Sequence, residues 1–131
     1  MFISWGWNRD NFSTSDINFK GSNYDFTLNN VKAVDKPGKI GWYYVDPTQL
    51  SIPQYNFRVG YFINQKYSVS FGFDHMKYVV VNDQTVDIDG TIAKTNSRFD
   101  GTYNNRQIKL NTDFVKLEHT NGLNYLNFEL R

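Results

Sequence analysis

The sequence contains no cysteine, which excludes a disulfide framework and any zinc site with thiolate ligands. It also lacks a run approaching the roughly 20 apolar residues that a membrane helix needs. Lys and Arg number 14 against 13 Asp and Glu, a formal net charge of +1. This balance lacks the basic surplus of nucleic-acid binders, so we expect no nucleic-acid partner. The opening residues, MFISWGWNRD, lack the basic and apolar regions of a secretory signal, which leaves a fragment start or a cytoplasmic protein open.

Aromatic residues are abundant, yet they are interleaved with polar ones. Phe, Tyr and Trp make up 18% of the chain, whereas the mean hydropathy is only −0.58. Residues 55–74 show the pattern most clearly, because apolar and polar side chains alternate there. The apolar set is Tyr55, Phe57, Val59, Tyr61, Ile63, Tyr67, Val69, Phe71 and Phe73, and the polar set is Asn56, Arg58, Gly60, Ser68, Ser70, Gly72 and Asp74. A period of two predicts strands with one apolar and one polar face.

The same alternation recurs along the chain and predicts an all-β, antiparallel fold of about eight to ten strands. The expected strands cover residues 2–7, 16–20, 24–34, 40–45, 55–64, 67–81, 85–92, 107–110, 114–120 and 123–131. Longer loops are expected at 8–15, 46–54 and 93–106. The pair Asn121-Gly122 predicts a type I′ hairpin turn. At 131 residues we expect a single domain, a meander of strands joined mostly in sequence order. Such strands suit either a sandwich or a closed barrel, and we expect a β-barrel because closure removes the exposed edges.

Two kinds of barrel fit this pattern. In a soluble barrel the apolar face points inward, whereas in a membrane barrel it meets lipid and the polar face lines the interior. The small residues Ser68, Ser70 and Gly72 favour a narrow polar interior, and therefore the membrane barrel. Against this, the stretches TVDIDGTI and QIKLN alternate around charged residues, as is typical of a solvated sheet. Both alternatives stay open on the residues alone.

Several segments together resemble a known family. They are GWNRDNFSTSDINFKGSNYDFTLNNVKAVDKP, IPQYNFRVGYF, VSFGFDHMKYVVVNDQTV, FDGTYNN and LEHTNGLNYLNFELR. In this order they are similar to the amino-terminal part of a family of uncharacterised outer-membrane β-barrel proteins from the Bacteroidetes. The resemblance implies a signal peptide, an outer-membrane location and a transmembrane barrel, with no established activity and no catalytic residue to carry over.

The chain departs from that family at both ends. It begins without a signal peptide, and it stops at Arg131 in the middle of an alternating strand. The resemblance therefore implies the amino-terminal fragment of a larger barrel, with an incomplete set of strands. We expect such a fragment to cover its open strand edges in one of three ways: by self-association, by curling into a smaller soluble barrel, or by leaving part of the chain disordered.

The pairs Asp74-His75 and Glu118-His119 are the first candidates for chemistry. Neighbours on a strand point to opposite faces, so neither pair can hold one metal ion from regular strand. At best His75 and His119 meet across strands, and we expect both to lie at strand ends near an aqueous rim. Ser70, Asp74 and a histidine suggest a hydrolase, yet nothing indicates an oxyanion hole. We therefore expect no enzyme, no metal and no cofactor.

The candidate binding residues are Arg58, Tyr61, Phe71, Phe73 and Trp42, for lipid or a small hydrophobic molecule. We expect Arg58 to pair with Asp74 or Glu129, because an enclosed charge needs a partner, with anion binding as the alternative. The aromatic residues near the beginning are equally compatible with core packing and with stacking at an interface; they are Trp5, Trp7, Trp42, Tyr43 and Tyr44.

These observations predict a non-enzymatic outer-membrane-type β-barrel with a structural, binding or passage role. Its location is the outer membrane if the family resemblance holds. Otherwise we expect a soluble protein, and the sequence does not specify its compartment. The alternative is a soluble barrel of the lipocalin or fatty-acid-binding type that holds a small hydrophobic ligand.

Overall fold

The computed structural model describes residues 1–37, 41–42, 46 and 54–131, except for the side chains of 120–122. Its regular elements are nine strands, and every strand pair with a described register is antiparallel, which confirms the all-β antiparallel prediction. The strands are β1 (Phe2–Gly6), β2 (Ser15–Lys20), β3 (Tyr24–Val31), β4 (Ala33–Val34), β5 (Tyr55–Phe62), β6 (Ser68–Val80), β7 (Thr85–Ile92), β8 (Gly101–Lys109) and β9 (Glu118–Leu130).

The chain divides into two compact units. Unit 1 comprises Met1–Asn11, Asp35–Val79 and Glu118–Arg131, and unit 2 comprises Phe12–Val34 and Val80–Leu117. In unit 1, strands β1, β5, β6 and β9 pair in that order. In unit 2 the order is β2, β3, β7 and β8.

This topology corrects the expected barrel. The described strands belong to two sheets and do not close into one barrel. The expected meander is wrong in part, because β1 pairs with β5, β3 with β7 and β6 with β9, across long stretches of chain. The physical reason is that alternation determines which face a side chain occupies, but it does not choose the neighbouring strand.

Unit 2 has an ordinary apolar core beneath its sheet. All the buried apolar residues of the described chain belong to this unit: Phe26, Leu28, Val31, Ala33, Val80, Val86, Ile88, Ile92 and Leu110. The Phe114 ring lies 5.7 Å from the Phe26 ring and 4.7 Å from that of Phe99, so the segments after β7 and β8 cover the apolar face. Gly90 has a φ of 122°, and a Cβ there would meet the backbone of Asp25 and Phe26, so this position of β7 requires glycine. The register shifts beside it, and the extra residue of the bulge lies in β8, between Tyr103 and Arg106.

One strand prediction and one loop prediction in unit 2 need correction. The expected strand 24–34 is interrupted at Lys32, just after Asn30 takes a left-handed φ of 56°. The expected loop 93–106 is too long, since β8 begins at Gly101 and pairs along β7. Its polar, Asn-rich sequence resembles a loop, but a strand at the edge of a sheet with an exposed side tolerates such residues.

Strand β9 corrects two more predictions. The expected strand 114–120 is wrong over residues 114–117, which lie outside any strand, and only its last three residues belong to β9. The hairpin at Asn121-Gly122 is wrong, because β9 is one continuous strand of 13 residues. The register shifts there: Met76 faces Leu123 and Tyr78 faces His119, so the Asn-Gly pair lies within a bulge. The expected strand 40–45 lies largely outside the described residues, and Gly41 and Trp42 are not in a strand.

Candidate functional site

Unit 1 carries one face made almost entirely of apolar side chains. Residues paired directly across antiparallel strands share a face, so the register defines this surface in rows. One row is Ile3, Val59, Phe71 and Phe128, the next is Trp5, Phe57, Phe73 and Leu126, and a third is Tyr61, Val69 and Leu130. We call these eleven residues the apolar face. The predicted alternation of residues 55–74 is confirmed by this register.

The apolar face is exposed. Phe128 is 73% exposed and Leu130 70%, and most other members exceed a third. With about 200 Å² for a full aromatic side chain, its exposed rings alone present on the order of 500 Å². That is already as large as the biggest apolar patch of a typical soluble monomer, roughly 300–600 Å². Among the described residues, nearly all large exposed apolar side chains belong to unit 1, Tyr24 and Val34 being the exceptions.

The opposite face of the same strands is polar and glycine-rich. We call it the polar face, and its polar and glycine members are Ser4, Gly6, Asn56, Arg58, Gly60, Ser70, Gly72, Asp74, Asn127 and Glu129. The register places two aromatic residues on the same face, Phe2 over Gly60 and Tyr125 opposite Asp74. Arg58 donates from Nη1 and Nη2 to the two carboxylate oxygens of Asp74, at 2.7 and 3.0 Å. Its Nε lies 3.8 Å from Glu129 Oε1. The predicted pairing of Arg58 with Asp74 or Glu129 is confirmed.

The Arg58 side chain lies over a glycine. A Cβ added at Gly72 would come 2.6 Å from Arg58 Cδ and would also collide with Asn127. An arginine guanidinium is always charged in proteins, and here the carboxylates of Asp74 and Glu129 lie beside it. A permanent charge is thus held by two carboxylates on a face where glycine provides the space.

A second group of polar residues lies beyond the strand ends. We call Asp10, Asp35 and Gln54 the Asp10 cluster, and Asn8 lies two residues before Asp10. Gln54 Nε2 donates to Asp10 Oδ2 at 3.1 Å, and the backbone N–H of Asp10 donates to Asp35 Oδ2 at 3.3 Å. Asn8 Nδ2 donates to the backbone oxygen of His75 at 3.1 Å. Burial raises the pKa of Asp10 above its ordinary value, the Asp35 carboxylate raises it further, and the bond from Gln54 lowers it.

Of the two histidines, only His119 lies where the sequence predicts, exposed as the second residue of β9. His75 is in the interior of β6 and only 3% exposed, so its expected place at an aqueous rim is wrong. Its Nδ1 lies 2.7 Å from Asn124 Oδ1, and its ring stacks on Tyr55 at 5.9 Å. His119 pairs with Tyr78 and His75 with Asn124, so the two histidines are not cross-strand partners. Within the described residues, no three His, Asp or Glu side chains converge on a possible ion position.

The five predicted binding residues fall in different places. Tyr61, Phe71 and Phe73 belong to the apolar face, whereas Arg58 belongs to the polar face, so the sheet separates them. Trp42 is 88% exposed. An open groove of about 270 Å³ beside Tyr61 and Phe71 is also lined by Val59, Val69, Phe128 and Met1.

Sequence reasoning did not identify two parts of these sites. Leu126, Phe128 and Leu130 complete the apolar face, and the alternation in LNYLNFELR is the signal that could have found them. The Asp10 cluster has no such signal, because Gln54 is 44 residues from Asp10 in the chain.

Comparisons with protein-family models, with curated proteins and with solved structures find no match to this chain. Across the part of the chain that the structure describes, no helix combines the length and the apolar character needed to cross a membrane.

Proposed function

We propose that unit 1 forms part of the wall of an outer-membrane-type β-barrel, with a structural, binding or passage role and no enzymatic activity. In this proposal the apolar face meets lipid and the polar face lines the interior. The observation that carries it is the exposure of the apolar face on a sheet whose other face holds an enclosed ion pair.

The free energy of exposure supports a hydrocarbon partner for this face. Apolar surface costs about 25 cal/mol per Å² in water, so roughly 500 Å² corresponds to on the order of 10 kcal/mol. A lipid environment removes that cost without any change in the sheet. The Tyr and Trp residues on this face, Tyr61 and Trp5, are of the kind enriched where a membrane meets water.

The strand dimensions are also compatible with a membrane. A tilted strand needs about 9–11 residues to cross a bilayer. Strands β6 and β9 each have 13 residues. On β5 the apolar residues from Tyr55 to Tyr61 extend over roughly 20 Å, which is close to the ~25 Å apolar band of outer-membrane barrels.

The polar face supports an interior position. Arg58 and Asp74 are 24% and 16% exposed at the side chain, so their charges are largely withdrawn from solvent and neutralise each other. Small residues such as Gly60, Ser70 and Gly72 suit a narrow lumen. A soluble ligand-binding cup requires the reverse arrangement, with the apolar face enclosed, which is why the proposal favours lipid.

Unit 2 provides an internal comparison. Its sheet buries Leu28 and Ile88 almost completely, while Asn18, Lys20 and Asp25 lie on the exposed side. The same chain therefore contains one sheet whose apolar face is buried, in unit 2, and one sheet whose apolar face is exposed, in unit 1. The resemblance of IPQYNFRVGYF and LEHTNGLNYLNFELR to the Bacteroidetes barrel family adds the outer membrane as the proposed location.

Co-flotation with phosphatidylcholine vesicles tests this proposal. We expect the wild-type chain to float with the vesicles, and Phe128→Asp to reduce the floating fraction because it places a charge on the apolar face. Ser4→Asp is the matched control on the polar face and should float like the wild type. A chain that stays monomeric without detergent, ignores vesicles and binds a fluorescent fatty acid would instead support the soluble cup.

A further inference from the structure

We propose that the outer edge of β9 pairs antiparallel with the same edge of a second copy of this chain, so that two copies of unit 1 share one continuous apolar face. This inference rests on the proposed lipid-facing wall and specifies its partner. Within the described residues β9 pairs only with β6, which makes it an outer strand of its sheet. Backbone N–H and C=O groups on an open edge find no water in lipid, and open sheet edges do not occur there. The edge of β9 therefore needs a partner strand.

The hydrogen bonds between β6 and β9 determine which backbone groups of β9 lie on the open edge. Ser68 and Arg131 donate to each other's carbonyl oxygens, at 2.7 and 2.9 Å. The register then has no shift over residues 123–130 of β9. Because the ladder alternates, odd-numbered residues bond to β6, and the even-numbered residues 124–130 direct their N–H and C=O groups outward. Three of these four residues belong to the apolar face: Leu126, Phe128 and Leu130.

This alternation makes β9 complementary to itself. In an antiparallel pair the outward groups of one strand bond to the outward groups of the other, so even-numbered residues of the two copies lie opposite each other. Side chains directly opposite each other share a face of the sheet. Leu126, Phe128 and Leu130 of the two copies therefore lie on the same face. Any register that satisfies both edges joins the two apolar faces and the two polar faces.

The regular part of β9 also indicates the register. Full overlap of residues 123–131 places Asn127 opposite Asn127 of the second copy. Leu126 then lies opposite Phe128, and Glu129 lies opposite Tyr125, so no like charges face each other. Roughly eight backbone hydrogen bonds form, two for each of four pairs of outward residues.

The number of strands favours a second copy. Unit 1 contains four strands, β1, β5, β6 and β9. Outer-membrane barrels have at least about eight strands, so one copy supplies too few and two copies supply enough. Pairing through β9 relates the two copies by a two-fold axis, which is the commonest symmetry of protein dimers.

Strand β9 also lacks the features that keep edge strands apart. Natural edge strands carry lysine, proline or bulges that discourage pairing. Residues 123–131 contain neither lysine nor proline, and the Glu129 carboxylate lies 3.0 Å from the Arg131 guanidinium, which offsets its charge. The outer strand of unit 2, β8, carries Arg106 and Lys109 and has a bulge after Tyr103. This contrast favours β9 over β8 as the contact.

Disulfide cross-linking in phosphatidylcholine vesicles tests the contact, because the chain has no native cysteine. Asn127→Cys places two thiols at a pair whose Cα atoms lie about 4.5 Å apart, within reach of a disulfide. With copper phenanthroline as the oxidant, we expect linked dimers to form about tenfold faster than for Gln107→Cys. Gln107 is the matched control, exposed on β8. Equal rates for the two variants would overturn the proposal.

A second pair of variants tests the direction and the register without changing Asn127. In Leu126→Cys or Phe128→Cys alone, the two thiols are offset by two positions, with Cα atoms about 8 Å apart, which is beyond the reach of a disulfide. A mixture of the two variants places unlike thiols opposite each other. We expect the mixed dimer to form faster than either homodimer, and homodimers that form as fast would overturn the antiparallel register.

Flotation of the same samples separates this inference from the proposed function. A chain that floats with the vesicles but does not cross-link overturns the β9 contact and leaves the lipid-facing wall in place. A chain that does not float overturns the wall, and with it the contact that depends on lipid.

Discussion

Arg58 and Asp74 form a two-fold hydrogen-bonded ion pair on the diagonal between neighbouring strands of unit 1. The residue directly opposite Arg58 is Gly72, and Asp74 lies two positions further along β6. The guanidinium reaches its partner across the glycine, which leaves the space that a larger residue would fill. The ion pair therefore depends on Gly72 as well as on Arg58 and Asp74. It places charge on one face of a sheet whose other face is apolar.

The ion pair should show strong coupling in a double-mutant cycle. Arg58→Met leaves Asp74 withdrawn from water without its cation, so we expect it to lower the free energy of unfolding by about 2 kcal/mol. Asp74→Leu should cost a similar amount, and the double variant should cost clearly less than the sum of the two. Urea unfolding followed by circular dichroism measures all four proteins, and additive effects would contradict the pair.

Gly72 should be intolerant of even one methyl group. In Gly72→Ala the new Cβ meets the Arg58 side chain, and we expect a loss of about 1–3 kcal/mol in the free energy of unfolding. Gly101→Ala is the matched control, because a Cβ there has nothing within 4 Å. Combining Gly72→Ala with Arg58→Ala should relieve part of the loss. An equal effect of the two alanine substitutions would contradict the described contact.

The two units should respond differently to loss of an apolar side chain in water. Ile88 is fully buried in unit 2, so Ile88→Ala should cost about 2–5 kcal/mol of unfolding free energy. Phe71→Ala on the apolar face should cost only about 1 kcal/mol, because much of that ring is already exposed. Urea titration in detergent-free buffer compares the two. A larger loss for Phe71→Ala would indicate that the apolar face is a protein core under those conditions.

The outer edge of β9 should mediate self-association. In the described part of the chain β9 pairs only with β6, which leaves its other edge open. Ser68 and Arg131 exchange both backbone hydrogen bonds, and the alternation of an antiparallel ladder then directs the N–H of Leu126 to the open edge. Leu126→Pro should therefore block edge pairing without removing a bond to β6.

Sedimentation velocity over a range of concentrations measures this effect. We expect the wild type to form oligomers in detergent and Leu126→Pro to shift towards the monomer. Leu126→Ser controls for the loss of the apolar side chain and should self-associate more than the proline variant. Identical behaviour of the proline and serine variants would exclude the β9 edge as the contact.

The sequence predicts side-chain faces well and strand partners poorly. The alternation from Tyr55 to Asp74 is enough to assign Phe71 and Val59 to one face of the sheet and Gly72 and Arg58 to the other, because successive side chains of a strand point to opposite faces. Nothing local indicates that β1 pairs with β5, since that choice depends on contacts between residues 50 to 58 positions apart. Composition also misled at β8, where the polar sequence TYNNRQ forms a strand.

One candidate site could be predicted from the sequence and the other could not. The pairing of Arg58 with Asp74 could be predicted, because an arginine on a polar face needs a carboxylate within reach on the next strand. The Asp10 cluster could not, since it is assembled from irregular segments whose paths depend on tertiary packing. The Asn-Gly pair in β9 illustrates the limit of turn signals. A pair typical of hairpins lies in a bulge here, because β9 pairs with β6 both before and after it.

The most direct test of the lipid-facing wall is a cysteine scan of β9 with nitroxide spin labels. The absence of native cysteine makes each single substitution specific, at Leu126, Asn127, Phe128 and Glu129. In lipid vesicles we predict that labels at 126 and 128 collide with dissolved oxygen, whereas labels at 127 and 129 collide with a water-soluble nickel complex. Equal access of the nickel complex to all four positions would contradict a lipid-facing apolar side.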